Sequence, residues 1–207
     1  MSQAPSEGYR ILVAEPRHAE FLPAIERAAA ALFSDEDVPK RLKELAIPEA
    51  MHRRAAEEGR LWVAVVEEGG GPGAGSGAAS PAPGTPVGFA HVTILDGEAH
   101  VFEIDVHPAH ARRGVGTRLM RAVAEWAAVR GYAGVTLTTF RHLPWNAPFY
   151  ARLGYREVAT GDWTPGLHAQ LQREAANGLD PSKRVAMRLT LATPPSPPET
   201  PSAPTTR

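Results

Sequence analysis

Residues 105–121 read DVHPAHARRGVGTRLMR, and the reading of the fold turns on them. The preceding run, residues 101–106 (VFEIDV), is β-branched and apolar enough to predict a strand. The strand stops at His107-Pro108, because proline has no N–H to give to a ladder. A short basic turn follows, and Gly114-Val115-Gly116-Thr117 opens a helical segment. The order strand, loop, helix puts the free N–H groups of a first helical turn, and the positive end of its dipole, at a strand end. Glycines at 114 and 116 let backbone amides approach a bulky group with no Cβ between them. Arg112, Arg113, Arg118 and Arg121 add positive charge against one nearby acid, Asp105. Such a turn suits an anion, most often a phosphate.

Known phosphate patterns narrow the choice. The dinucleotide fingerprint needs a third glycine where Leu119 stands, and the Walker pattern needs Gly-Lys-Ser/Thr, which is absent. An ordinary strand-to-helix turn, with glycines for tight packing, also fits residues 111–116. That hexamer, ARRGVG, resembles the signature of the GNAT superfamily, the acyl-CoA-dependent N-acyltransferases, written Gln/Arg-x-x-Gly-x-Gly/Ala. Ala111 stands where Gln or Arg is usual; a side-chain contact is lost and the cradling amides remain. Residues 143–155 (LPWNAPFYARLGY) resemble the same family's short helix after the fifth strand, which lies beside the pantetheine arm. Both motifs occur in the family's order, and the resemblance covers most of residues 9–191. It implies an α/β fold with a mixed, mostly antiparallel central sheet of six to seven strands and helices on both faces. It also implies acetyl-CoA as the acyl donor and no metal.

Composition bounds the alternatives. The 207 residues carry 22 Lys and Arg against 23 Asp and Glu, a formal charge of −1, so nothing draws the chain in bulk to nucleic acid or membrane. No apolar run approaches the roughly 20 residues of a membrane helix, and residues 1–8 are polar rather than a signal peptide, so a cytoplasmic protein is expected. With no cysteine there is no disulfide, no thiolate zinc site and no cysteine-acyl intermediate. Residues 1–8, 69–86 (GGGPGAGSGAASPAPGTP) and the Pro-rich 192–207 hold too few apolar side chains to offset the entropy of ordering them. They predict a disordered N-terminus, a flexible insertion and a disordered tail around one domain, residues 9–191. The insertion lies between two β-like runs and reads as an expanded hairpin loop.

Periodicity and turn residues predict the elements. Strands are expected at residues 11–14, 61–67, 87–95, 100–106, 135–140, 155–158 and 184–191. Helices are expected at 19–32, 38–45, 49–58, 116–130, 146–153 and 167–176. Asp96-Gly97 is a strong hairpin signal, so the second to fourth strands form an antiparallel meander. The helix at 116–130 turns Leu119, Val123, Trp126 and Ala127 inward and ends at Gly131. Strand, helix, strand across residues 100–140 then gives one parallel pair.

The chemistry implied is attack of an amine on the acetyl thioester. An amine of pKa ~10.4 is neutral in about one molecule in 2500 at pH 7, a handicap of roughly 4.6 kcal/mol, so a base is needed. Glu103 and Asp105 alternate onto one strand face, with Phe102, Ile104 and Val106 on the other. Glu103, directly or through a water, is the first candidate base; two carboxylates on a solvated face is the plain alternative. His91 and His107 are further candidates, although such histidines are more often polar surface. By the resemblance, Tyr150 is the general acid for the leaving thiolate; a core tyrosine bonded elsewhere is the alternative. Asn146 could bond the pantetheine amide, cap its helix, or do both. The resemblance further implies a splay between the fourth and fifth strands that frees the Val106 N–H for the thioester carbonyl. It assigns cofactor binding to Val106, Arg112, Arg113, Gly114, Val115, Gly116, Thr117, Asn146 and Tyr150. The four tryptophans read as packing, with Trp145 and Trp163 in loops that could line a pocket. The expected partner is a small-molecule or peptide amine, with no nucleic acid and no membrane, and a homodimer is left open. An acyl-CoA-binding module without acceptor chemistry is the competing reading, and the two part at turnover.

Overall fold

The computed structural model describes residues 8–68 and 81–192. The expected disorder at 1–7, 69–80 and 193–207 lies outside the described residues. Seven strands form a single sheet in the order β1-β2-β3-β4-β5-β7-β6. They are β1 (Tyr9–Val13), β2 (Leu61–Val66), β3 (Pro86–Leu95), β4 (Glu98–Val106), β5 (Gly134–Phe140), β6 (Arg156–Glu157) and β7 (Arg184–Thr190). The helices are α1 (Leu22–Ala30), α2 (Lys40–Glu44), α3 (Glu49–Glu57), α4 (Val115–Val129), α5 (Ala147–Arg152) and α6 (Pro165–Ala176).

All neighbours pair antiparallel except β4 and β5, the one parallel pair expected around the connecting helix. Asp96 and Gly97 both take positive φ, 51° and 80°, the left-handed geometry that matches a two-residue hairpin to strand twist. The 69–86 segment does join antiparallel strands, but its last residue is not loop. Gly84 N–H donates to the Val66 carbonyl at 2.8 Å, so the ladder has resumed by Pro86, where β3 starts.

Each face of the sheet carries its own core. Leu119, Val123 and Ala127 of α4 are fully buried against Ala64, Val92, Val101 and Leu137, and Tyr150 and Tyr155 complete that layer. Trp126 is half-buried at its edge, with its ring 5.3 Å from Trp62. On the opposite face Leu22 and Ile25 of α1 and Ala55 of α3 cover Leu61, Val63 and Phe89. At roughly 1.5–3 kcal/mol for each large apolar side chain, these two layers fix the sheet between its helices.

Two irregularities shape β4. Its pairing with β3 skips a residue, His91 lying opposite Glu103 while Val92 lies opposite Val101, so Phe102 is bulged out. The bulge breaks the expected alternation: Phe102 turns to the Glu103 side, its ring 5.4 Å from His91, while Ile104 and Val106 stay against the α4 core. The pairing with β5 covers only Ala99–Val101 against Val135–Leu137, and the strands part beyond it.

Candidate functional site

The gap where β4 leaves β5 is where two cavities meet. The first, about 410 Å³, runs along Val106, the 111–117 turn and one side of α5, with Ala29 of α1 and Leu32 and Phe33 just beyond its end also bordering it. The second, about 370 Å³, lies under α1 and α6 on the other side of the β4 edge. Phe33, Ile104, Asp105, Asn146 and Tyr150 border both.

The turn of the first cavity is shaped by two residues with positive φ, Arg112 at 60° and Gly114 at 76°. Gly114 is the N-cap of α4, so the left-handed backbone, and not crowding, calls for glycine there; a Cβ on it would meet nothing within 4 Å. Gly116 sits closer to neighbours, its hypothetical Cβ 3.6 Å from Phe149 Cζ and 3.9 Å from Val106 Cγ2, which is ordinary contact. The N–H groups of the first turn of this 15-residue helix thus open on the groove. Arg112, Gly114, Val115, Gly116 and Thr117 border it as expected; Arg113 does not. Arg118 and Arg121 point elsewhere: they flank a depression beside Ile11 and Trp62, and Arg118 donates to the Tyr9 carbonyl at 2.7 Å. The expected cluster of positive charge is therefore divided between the turn and one side of α4, because residues 118 and 121 are about one helical turn apart and share a side.

His107 N–H donates to the Val87 carbonyl at 2.8 Å. Successive N–H groups of a strand point to opposite edges, so the Val106 N–H faces the gap left by β5. Across that gap, Asn146 occupies the N-cap position of α5, yet its side chain makes no capping bond. Its Oδ1 instead accepts from Thr139 Oγ1 at 2.8 Å, and its Nδ2 is buried with no partner among the described residues. The Thr139 bond thereby fixes the orientation of the amide on a residue that borders both cavities. Tyr150, 8% exposed, has ring contacts to Phe149 and Tyr155 but no hydroxyl partner among the described residues. Burial, then the nearby Glu103 and Asp105 charges, push its phenol well above the ordinary range, so it is a proton donor at neutral pH.

The second cavity is acidic. Glu26, Glu103, Asp105 and Glu174 border it, against Arg184. Glu26 is tied down by His52 Nε2 at 2.6 Å and Ile47 N–H at 2.7 Å. Glu174 accepts from Arg184 Nε at 2.8 Å and from Thr138. Glu103 and Asp105 have no side-chain partner among the described residues. Burial raises the Glu103 carboxyl to about 7, with the Glu26 charge adding to the effect and Arg184 opposing it. Asp105 is also raised, by burial and then by Glu103 and Glu26. A carboxyl poised near neutrality at a cavity wall, as that of Glu103 is, is suited to taking up a proton.

The histidine candidates are not at this wall. His91 is 3% exposed and lies between the rings of His52 and Phe102, where burial depresses it to about 4. His107 accepts from its own turn, from Ala109 N–H, and does not border either cavity. Its neighbour His110 does border the groove and is bonded to the Tyr9 hydroxyl at 2.9 Å. Trp145, 52% exposed, stands at the groove mouth, whereas Trp163 packs on His168 and donates to the Val158 carbonyl. Phe33, Glu26, Glu174 and Arg184 carried no local signal in the sequence; only the Asp105 position, on the same face as Glu103, was marked.

Residues 28–155 match the family model described as Acetyltransferase (GNAT) family. Solved structures share the architecture. A GNAT-family acetyltransferase from Staphylococcus aureus Mu50 aligns with a TM-score of 0.60 at 13% identity, covering 89% of this chain and 99% of that one. PaiA N-acetyltransferase from Thermoplasma acidophilum, solved in complex with coenzyme A, gives 0.58 at 14% identity over 88% and 99%. The ribosomal-protein-S18-alanine N-acetyltransferase of Escherichia coli gives 0.56 at 17% identity over 91% and 97%. Among the described residues no helix is long and apolar enough to cross a membrane.

Proposed function

Because the chain belongs to the acetyltransferase (GNAT) family, we propose that it transfers an acetyl group from acetyl-CoA to a primary amine by direct attack in a ternary complex. The observation that carries the proposal is the meeting of a glycine-turn groove and an acidic cavity at the β4–β5 gap. The groove supplies what a coenzyme needs: first-turn amides of α4 and Arg112 for the pyrophosphate, and the Asn146 Nδ2 for an amide of the pantetheine arm. The relative solved with coenzyme A supports this choice of ligand. The acidic cavity attracts the ammonium form of an amine and offers carboxylates to receive its proton.

In the proposed step the Val106 N–H donates to the thioester carbonyl oxygen, stabilising the charge that grows there. Glu103, through a water where needed, takes a proton from the amine, and the amine nitrogen bonds to the carbonyl carbon. The carbon–sulfur bond then breaks, the departing thiolate takes the Tyr150 proton, and the second proton on the acylated nitrogen returns to the Tyr150 phenolate. The products are the amide and coenzyme A. A Glu103 carboxyl near 7 is about half ionised at neutral pH, a fair match between holding the base form and accepting a proton. Tyr150, with its hydroxyl uncommitted and its acidity suppressed, keeps its proton until the thiolate forms.

Screening an amine library with acetyl-CoA for free thiol release tests this directly. Amine-dependent release is expected; coenzyme binding with no release from any amine would leave only the binding-module reading.

A further inference from the structure

The acidic cavity has one carboxylate more than the reaction uses. Glu26 and Glu174 are satisfied within the protein, by His52 with the Ile47 amide and by Arg184 with Thr138. Glu103 has only a backbone contact, with the Ile104 N–H, Asp105 has no side-chain partner among the described residues, and both border the same space. Being two residues apart on one strand, their backbones are separated by about 6.6 Å, enough for each to meet its own donor. Removing a proton from the attacking nitrogen occupies one of them. The other is left as a charge inside a wall of protein, beside the anchored Glu26, and an unpaired charge there is costly. Tyr150, 8% exposed and with no hydroxyl partner among the described residues, borders the same cavity. Ala30, Phe33, Val38, Leu42 and Leu45 make an apolar part of the lining, beside the polar Thr138, Thr139, Gln170 and Asn177. Arg184, the one cation among the described lining residues, is committed to Glu174, so a substrate carboxylate would meet no uncommitted cation there.

Resting on the acyl-transfer reading above, we infer that the acceptor is a linear aliphatic diamine or polyamine. One nitrogen attacks at the β4–β5 gap, the methylene chain lies along Phe33 and Leu42, and the second ammonium pairs with the carboxylate that is not acting as base. Acetylation replaces one ammonium by a neutral amide and returns the proton taken up by the base to solvent. The product therefore has only one charge to offer two carboxylates, and leaves more readily than the substrate binds. Transfer stops at the monoacetyl product.

The test compares pentane-1,5-diamine, pentylamine and 5-aminopentanoate as acceptors, with acetyl-CoA and the full chain, by thiol release and mass of the product. The diamine is expected to exceed the monoamine in kcat/KM by at least about tenfold, mainly through KM, with the amino acid poorest and the product monoacetylated. Thiol release that is equal for diamine and monoamine, or that favours the amino acid or a peptide amine, overturns the diamine assignment and leaves acetyl transfer standing. No release from these or any library amine instead removes the acyl-transfer reading itself. Binding calorimetry of the same three compounds with coenzyme A present gives a readout independent of turnover, and equal affinities there also overturn the assignment. In Asp105→Asn the ratio of diamine to monoamine kcat/KM should fall, and Asp105→Glu should restore part of it; an unchanged ratio in both variants counts against the second-ammonium site.

Discussion

At the scale of single residues, the two proposed proton-transfer groups should fail differently when altered. Tyr150→Phe keeps the ring that packs on Phe149 and Tyr155 and removes only the hydroxyl. Coenzyme affinity should hold while turnover falls by about 10² to 10⁴, the usual worth of a positioned acid. A parental rate in that variant, with chemistry rate-limiting, would remove the assignment. Glu103→Gln should produce a deficit that depends on pH. The Glu103 carboxylate forms as pH rises through about 7, while an aliphatic amine frees itself only near ~10. The deficit in kcat/KM is therefore largest between those values and shrinks toward either end of a profile from about pH 6 to 10. A deficit constant across that range would mean that Glu103 positions the amine without deprotonating it. Thr139 offers a subtler check, since its hydroxyl is what fixes the Asn146 amide. Thr139→Val should loosen that orientation and weaken coenzyme A binding by roughly fivefold, in line with about 1 kcal/mol for a neutral hydrogen bond.

At the scale of elements, the glycine turn was the most legible part of the site because its constraints are local. Proline ends β4, a positive φ calls for glycine at 114, and α4 follows by propensity and apolar spacing. Gly114→Glu places a β-carbon in a left-handed backbone and a carboxylate against the first-turn amides. Calorimetry should show coenzyme A affinity reduced at least about 100-fold, with the melting temperature lowered by only a few degrees, as about 1 kcal/mol of backbone strain implies. Unchanged affinity in a folded variant would separate the turn from the cofactor. Other elements were readable only as to type. The Phe102 bulge depends on how β3 and β4 register over a dozen residues, and no local residue announces it; hence the misplacement of Phe102. Arg118 and Arg121 are near the turn in sequence, but the helix carries them to the side of Ile11 and Trp62. Asn146 was rightly placed at a helix start, but its actual partner, Thr139, lies on β5, so helix-capping rules could not reveal what its side chain does. The acidic wall is the extreme case: Glu26, Glu174 and Arg184 come from α1, α6 and β7, and only the completed sheet brings them to Glu103.

For the molecule as a whole, the site is held at a cost to stability that should be visible in its pH dependence. Glu103 is raised to about 7 and Asp105 is raised with it, so folding favours their protonated forms. The Glu103 contribution is fully present below the unfolded carboxyl pKa near 4 and is lost as pH rises through about 7, and the Asp105 contribution has the same sign. The groups facing them are Glu26 on α1 and Glu174 on α6, which add to the effect, and Arg184 on β7, which opposes it. His91 and His100 act in the other direction. Burial depresses both to about 4, so their neutral forms are favoured, and their contribution is present above about 6.5 and lost as pH falls through 4. Between pH 4 and 7 the carboxylates and histidines therefore oppose each other, and the parent's melting temperature should vary little across that window. Glu103→Gln removes part of one side of the balance. The variant should be more stable than the parent at pH 8, by on the order of 2 to 3 kcal/mol or several degrees, and the gain should vanish near pH 4, where parental Glu103 is already neutral. Its melting curve should then fall more from pH 7 to 4 than the parent's, the histidines being opposed by Asp105 without Glu103. Thermal denaturation of both proteins without ligand, at intervals from pH 4 to 8, measures this. A variant equally or less stable than the parent at pH 8 would mean that Glu103 is not held in a costly ionised state, and the argument for it as a base tuned by burial would go with it.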